Sequence, residues 1–257
     1  MAEAGEQLGS FLRSRRERLK PERLDLSGTR RRRTPGLRRE EVAGLAGISA
    51  EWYVKLEQGR AVAPSVATID ALARALRLSE VEHAHLHMLA HSSKRSAFVR
   101  EEVPAPLRRL VESLDQPAYV TGLRWDVLAW NKAAAELLTD FDQLAAEDRN
   151  ILLYVLTDPR GRALFGEHWA DEARRMVALF RATHDLWSDD PAFADHIARI
   201  RRGCAEFEAW WTEHNVGAAV SGTKILYHPA RGRLCFAYTT FQANDDPRLK
   251  LAVYMPC

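Results

Sequence analysis

Apolar residues in the first third of the chain recur at intervals of three and four, the spacing of helices with one buried stripe. Leu8, Phe11, Leu12 and Leu19 form such a stripe, with Arg13, Arg15, Arg16 and Arg18 on the opposite face and Pro21 at or just past the helix end. Val42, Leu45 and Ala46, then Ile48, Tyr53, Val54 and Leu56, describe two short helices within Leu37–Arg60. Between them Gly47 stands where a chain leaving a helix needs a residue tolerant of positive φ, and Ser49 can cap the second helix of the pair. Pro64-Ser65 opens a fourth helix with Val66, Ile69, Leu72, Ala73 and Leu76 inward, and Ser79-Glu80-Val81-Glu82 is a capping box that starts a fifth. The spacing therefore predicts five helices around a tight helix-turn-helix, although an ordinary helical hairpin would share the pattern.

The rhythm changes after Ser92–Val103, a polar aperiodic stretch ahead of Pro104 and Pro106. We place a first domain at 1–92, a linker at 93–104 and a second domain at 105–257. A short helix is predicted at Leu107–Leu114, then a hairpin of Ala118–Thr121 and Asp126–Trp130, then a helix capped by Asn131. Helical stretches at Glu147–Leu156, Gly161–Ala182, Pro191–Arg202 and Cys204–His214 precede three strands, Thr223–His228, Leu234–Thr240 and Leu249–Met255. This order predicts an α+β domain, a five-stranded antiparallel sheet with its helices on one side.

Charge sharpens the division. Residues 1–75 carry 15 basic and 10 acidic side chains, a balance of +5, whereas the remainder carries 22 against 25, a balance of −3. The excess positive charge sits with the helix-turn-helix, as phosphate contact requires. Four successive arginines, Arg30 to Arg33, precede it; they suit phosphates or a minor groove, or form a solvated basic loop. No apolar run approaches a membrane span, and charged residues occupy the place of a signal peptide's apolar core. Cys204, Cys235 and Cys257 are odd in number and show no paired spacing, which points to a reducing cytoplasm rather than a disulfide or zinc scaffold.

The segment RRRRTPGLRREEVAGLAGIS followed by EWYVKLEQGR resembles the lambda-repressor-like, XRE-type DNA-binding domain, and in particular the N-terminal part of MmyB-like transcription regulators. The resemblance implies a supporting helix near Arg38–Ala46 and a recognition helix near Ser49–Gln58. Ser49, Ala50, Glu51, Trp52 and Lys55 would then reach base edges, Lys55 donating to guanine and Glu51 accepting from cytosine, unless Glu51 pairs with Lys55 on the helix surface. Arg31, Arg32, Arg33, Arg38, Arg39, Gln58 and Arg60 would contact phosphates. The resemblance implies double-stranded operator DNA as the partner, which a homodimer would bind across two half-sites.

Further on, WDVLAWNKAAAEL is similar to the opening of a PAS-like domain. LAWNKAA, TDPRGRALF, WWTEHNV, SGTKILYHPARGRL and DDPRLKLAVY resemble the ligand-binding domain of MmyB-like regulators. The resemblance implies an apolar small-molecule effector, with fatty-acid-like ligands the suggested class, and no cofactor. Trp125, Trp130, Phe207, Trp210, Trp211, Phe236, Tyr238 and Phe241 offer an aromatic lining, or simply a core, and Arg202 and His214 are candidates for an anionic head. A PAS-like sensor or scaffold acting through protein partners is the alternative. An enzyme is disfavoured: no G-x-S-x-G, Walker-type loop or His-Glu-x-x-His occurs. His83, His87 and His91 share one helical face, but with no cysteine near and a third ligand expected only from the same helix, packing or solvated histidines are favoured over a metal.

Overall fold

A computed structural model describes residues 2–20, 36–60, 64–91, 97–218 and 221–257, with side chains from residue 5. The first domain contains α1 (Ala2–Arg18), α2 (Arg39–Ala46), α3 (Ala50–Glu57), α4 (Val66–Ala75) and α5 (Glu80–Ala90). The predicted five helices are present, and their inner faces meet in one core of Leu8, Phe11, Leu12, Val42, Tyr53, Leu56, Ile69, Leu72 and Leu86. Gly47 takes φ 67°, which lets the chain turn from α2 into α3 without Cβ strain. Ser49 Oγ accepts from Trp52 N at 3.2 Å, and Ser79 with Glu82 forms the predicted capping box.

Three expectations for this domain are corrected. Leu45 and Val66 are exposed, because Ala43 and Ile69 occupy the inward positions of α2 and α4. Arg15 and Arg16, expected on a solvent face, are buried at 4% and 6% exposure, since α1 is covered on two sides. The arginine run and Pro21 lie outside the described residues.

The second domain follows from α6 (Ala105–Ser113). Its elements are β1 (Ala118–Thr121), β2 (Val127–Trp130), α7 (Lys132–Leu137), α8 (Ile151–Thr157), α9 (Pro159–Phe165), α10 (Trp169–His184), α11 (Pro191–Gly203), α12 (Phe207–Thr212), β3 (Gly222–His228), β4 (Gly232–Gln242) and β5 (Lys250–Pro256). The sheet runs β2-β1-β5-β4-β3, antiparallel throughout, in the PAS-like α+β layout expected. Asn131 caps α7 by accepting from Ala134 N at 2.9 Å and from Ala118 N at 3.1 Å, while its amide donates to Leu114 O and Gln116 O. One side chain thus ties the end of α6, β1 and α7 together, with each of its polar atoms satisfied.

Side-chain alternation decides what the sheet faces. Register pairs Tyr119 with Ala252, and Tyr254 with Tyr238, so Tyr119, Ala252, Tyr254, Phe236, Tyr238 and Leu226 share the face toward α8–α12. The helices are not all on that side, however. Ala118, Val120 and Ala129 point the other way and pack with Val111 and Leu107 of α6, which covers the far face near β1 and β2. The stretch read as one helix over 161–182 is two, broken at Gly166, whose φ is 54°. A Cβ there would stand 2.7 Å from the Tyr227 ring. Cys235 and Cys257, expected to be unpaired thiols, form a disulfide across β4 and the end of β5, and Cys204 is the buried free thiol. Register brings the pair together: Phe236 opposes Pro256, so Cys257 arrives beside Cys235 despite 22 residues of separation. Among the described residues no helix is long and apolar enough to cross a membrane.

Candidate functional site

The helix-turn-helix presents α3 with its first turn outward. Ser49 and Glu51 are exposed, Ala50 and Lys55 are partly so, and Trp52 packs its ring against the core while keeping an open edge. Lys55 Nζ lies 2.9 Å from Glu51 Oε1, so the i, i+4 pairing exists in the DNA-free protein. That contact is solvated and weak. Both side chains can exchange it for base edges at little cost.

α3 is held by a buried charge. Glu57, 3% exposed, accepts from Arg16 Nε at 2.5 Å and Arg39 Nε at 2.6 Å, and Arg16 also donates to Leu37 O at 2.9 Å. Burial alone would push the Glu57 carboxyl up, but the two guanidinium hydrogen bonds outweigh it and hold it below the usual range. Arg39, expected on phosphate, therefore commits its Nε to the clamp between α2 and α3 and keeps only part of its guanidinium open to solvent. Arg38 stands partly exposed before α2, where its backbone N donates to Glu41 at 2.7 Å, and Gln58 and Arg60 are exposed beyond α3. Arg31, Arg32 and Arg33 lie outside the described residues.

The second domain encloses a cavity of about 180 Å³ between the sheet and α8–α10. Its walls are Tyr119, Trp125, Tyr238, Tyr254, Leu138, Ile151, Val155, Phe165, Met176 and Leu179, and its polar corner is Glu172, Arg175, Lys224 and Lys250. Arg175 grips Glu172 at 2.7 and 3.0 Å, Lys224 also contacts Glu172, and Lys224 Nζ stands 4.6 Å from the Tyr238 ring centroid. Lys250 has no ion pair among the described residues, and burial lowers its pKa. Three cations thus face one carboxylate across a largely apolar space.

Of the sequence candidates for ligand contact, Trp125 and Tyr238 line this cavity. Trp130 matches the face of Tyr119 but lies beyond the cavity, against Phe141 and under Arg149. Phe207 stacks on Trp211, Trp210 packs on Trp169, and Phe236 contacts Tyr254 in the core. Phe241 is exposed because its parity on β4 is opposite to that of Tyr238. Arg202 is exposed at the end of α11. Sequence reasoning missed the polar corner; alternation along β3 and β5 would have placed Lys224 and Lys250 inward.

His214 sits elsewhere, at the contact between the domains, with φ 51°. Its ring faces Ser10 at 3.2 Å, its carbonyl accepts from Arg15 at 2.5 Å, and Arg18 donates to the carbonyl of Glu213. Beside it, Asp185 at the end of α10 meets His85 of α5 at 3.1 Å, Arg181 at 3.4 Å and His184 at 3.3 Å. All four are buried, and Arg181 lies over Trp211 at 3.8 Å. Desolvation opposes the Asp185 charge, yet hydrogen bonds from His184 and His85 and the Arg181 guanidinium drive its pKa far down. The network is incompletely satisfied: Arg15 Nη1, His85 Nδ1 and Arg181 Nε are buried without a partner among the described residues. Such groups cost free energy, which leaves this contact less stable than its burial suggests.

The profile of the "MmyB-like transcription regulator ligand binding domain" matches residues 103–257, and that of a helix-turn-helix domain matches residues 7–86. The chain belongs to the MmyB-like transcription regulators. No curated protein matches it. Both matched families are those of transcription regulators, and the chain joins a helix-turn-helix domain to a ligand-binding domain.

A buried histidine of the regulator adds to its acid sensitivity. His196 is 3% exposed against the Phe180 ring, its Nε2 has no partner among the described residues, and burial, then the charges of Arg124, Arg199 and His184, push its pKa down to about 3. The unfolded chain protonates this residue near pH 6.5 while the folded one does not, so its stability contribution is complete above that pH and falls as pH drops toward 3. Urea unfolding at stepwise lower pH should show up to about 1.4 kcal/mol lost per pH unit from this group below pH ~6. His196→Gln should flatten that slope; an unchanged slope would remove the assignment.

Proposed function

We propose that this protein binds operator DNA through α3 as a homodimer and that an aliphatic carboxylate in the cavity sets its operator affinity. One observation carries the reading: α10 is both a cavity wall and the contact to the DNA-binding domain. Glu172, Arg175, Met176, Leu179, Ala182 and Thr183 of α10 line the cavity, while His184 meets Trp211, Arg181 meets His214 and the following Asp185 meets His85 of α5. Gly217 lines the cavity too and bonds to Ala178 O at 3.0 Å, and Leu186 and Val216 pack against the helix-turn-helix core. A ligand that favours one position of α10 therefore favours one arrangement of the domains, which is the differential contact any such switch requires. The signal runs through α10 rather than through α6, which covers the far face of the sheet.

Apolar walls and uncompensated cations select an acid with a hydrocarbon tail. Lys55, Glu51 and Ser49 read bases, and Arg31, Arg32, Arg33, Arg38, Gln58 and Arg60 hold phosphates, with half-sites about 34 Å apart. We infer a cytoplasmic site of action from the DNA target alone, since the Cys235–Cys257 disulfide removes the support that unpaired thiols lent it.

Calorimetry with octanoate and 1-octanol tests the ligand class. Octanoate should bind at least about tenfold tighter, and Lys250→Met should erase that preference while leaving the alcohol unaffected. Equal affinities for acid and alcohol would reject the carboxylate. An operator selected from random duplexes tests the output: its affinity should change with saturating octanoate and fall steeply with salt. An operator affinity that ignores every bound acid would reject control by the cavity.

A further inference from the structure

The outer side of the DNA-binding domain holds a cluster that neither the cavity nor the reading helix uses. His83 and His87 are one turn apart on α5, and Asp70 reaches them from α4. Asp70 Oδ1 lies 2.8 Å from each Nε2, and the two Nε2 atoms lie 3.1 Å from each other. Hydrogens satisfy this triangle poorly. If both Nε2 atoms carry protons to donate to Asp70, the two N–H groups crowd each other; if one is bare, it presents a lone pair to the carboxylate.

A cation satisfies all three lone pairs at once. With metal–ligand distances of 2.0–2.1 Å, an ion equidistant from the three atoms stands about 1.2 Å out of their plane, at the open apex of a tetrahedral face. All three side chains are partly exposed, between 31% and 38%, so water can enter and complete the shell. The third ligand comes from a neighbouring helix that sequence spacing could not supply. His91, the residue expected to share this face, stacks on His87 at 5.9 Å and turns Nδ1 to the His87 carbonyl, which leaves it outside the triangle.

We propose that Asp70, His83 and His87 form a site for a divalent transition metal of the zinc class that pins α4 to α5. Two imidazoles and one carboxylate suit Zn²⁺, Co²⁺ or Ni²⁺ and offer too few oxygens for Mg²⁺ or Ca²⁺. Its effect reaches the domain contact by position, because α5 also carries Glu82, paired with Arg15 at 3.0 Å, and His85 on Asp185.

The test uses full-length protein without a polyhistidine tag, stripped by chelator and titrated with ZnCl₂ against a chromophoric zinc indicator. One ion per chain should bind with micromolar or tighter affinity and raise the melting temperature, while MgCl₂ does neither. Asp70→Ala, His83→Ala and His87→Ala should each weaken binding at least tenfold, and His91→Ala should leave it unchanged. Affinity equal in wild type and the His83→Ala/His87→Ala double variant, or retained in Asp70→Ala, would overturn the site. X-ray absorption of the wild-type one-to-one zinc complex covers variants that fail to fold. Two imidazoles with oxygen support the site, and any other imidazole count or a sulfur ligand overturns it.

Discussion

Glu57→Ala should destabilise the helix-turn-helix by about 3–5 kcal/mol in urea unfolding, because it strands the buried Arg16 guanidinium. The loss comes less from the attraction forfeited than from a cation left in the interior, with the Leu37 carbonyl and the half-exposed Glu17 carboxylate at 3.2 Å as its remaining partners among the described residues. Operator binding should disappear with it, since the same carboxylate fixes α3 against α1 and α2. Glu57→Gln, which keeps shape and one acceptor, should fall between. Replacing Arg16, Arg39 and Glu57 together by apolar side chains should recover most of the stability, since no charge then stays unpaired. A single-variant cost below about 1 kcal/mol would show that the clamp is not buried as described.

Asp185→Ala should have the second largest effect, on both stability and communication. It removes the acceptor shared by His85, Arg181 and His184, leaving Arg181 at 2% exposure without a counter-charge. Unfolding of the second domain should cost about 3 kcal/mol less. The change in operator affinity on adding octanoate should shrink to within about twofold, a residual coupling well under 1 kcal/mol. Operator binding without ligand should persist, because α3 and its clamp are untouched. An Asp185→Ala protein that kept the full ligand response would place the signal elsewhere, and a stable variant with unchanged melting would deny the buried pair its role.

Both experiments address charges whose importance no pattern along the chain reveals. In Glu-Gln-Gly-Arg, Glu57 reads as a polar helix end, and Asp185 reads as one more acidic residue after a helix. The apolar stripes were legible because helix and strand periods are local properties. Leu72, Tyr53 and Leu56 were placed inward on spacing alone, and Gly47, Ser49 and Asn131 disclosed the turns and caps that separate elements. Candidate ligand residues fared less well. Aromatic character cannot distinguish Trp130, which fills core, from Trp125, which faces the cavity, because the two differ only in what the remaining helices put beside them.

The sequence by itself determined the two-part architecture, the order of helices and strands, and the helix-turn-helix, since each follows from local periodicity, caps and a segment-specific motif. Only the tertiary structure decided which charges are buried and with whom. Arg16 with Glu57, His85 with Asp185, Cys235 with Cys257, and Asp70 with His83 and His87 are each pairings between separate elements. Their chemistry depends on distance and desolvation, quantities that exist only once the elements have packed.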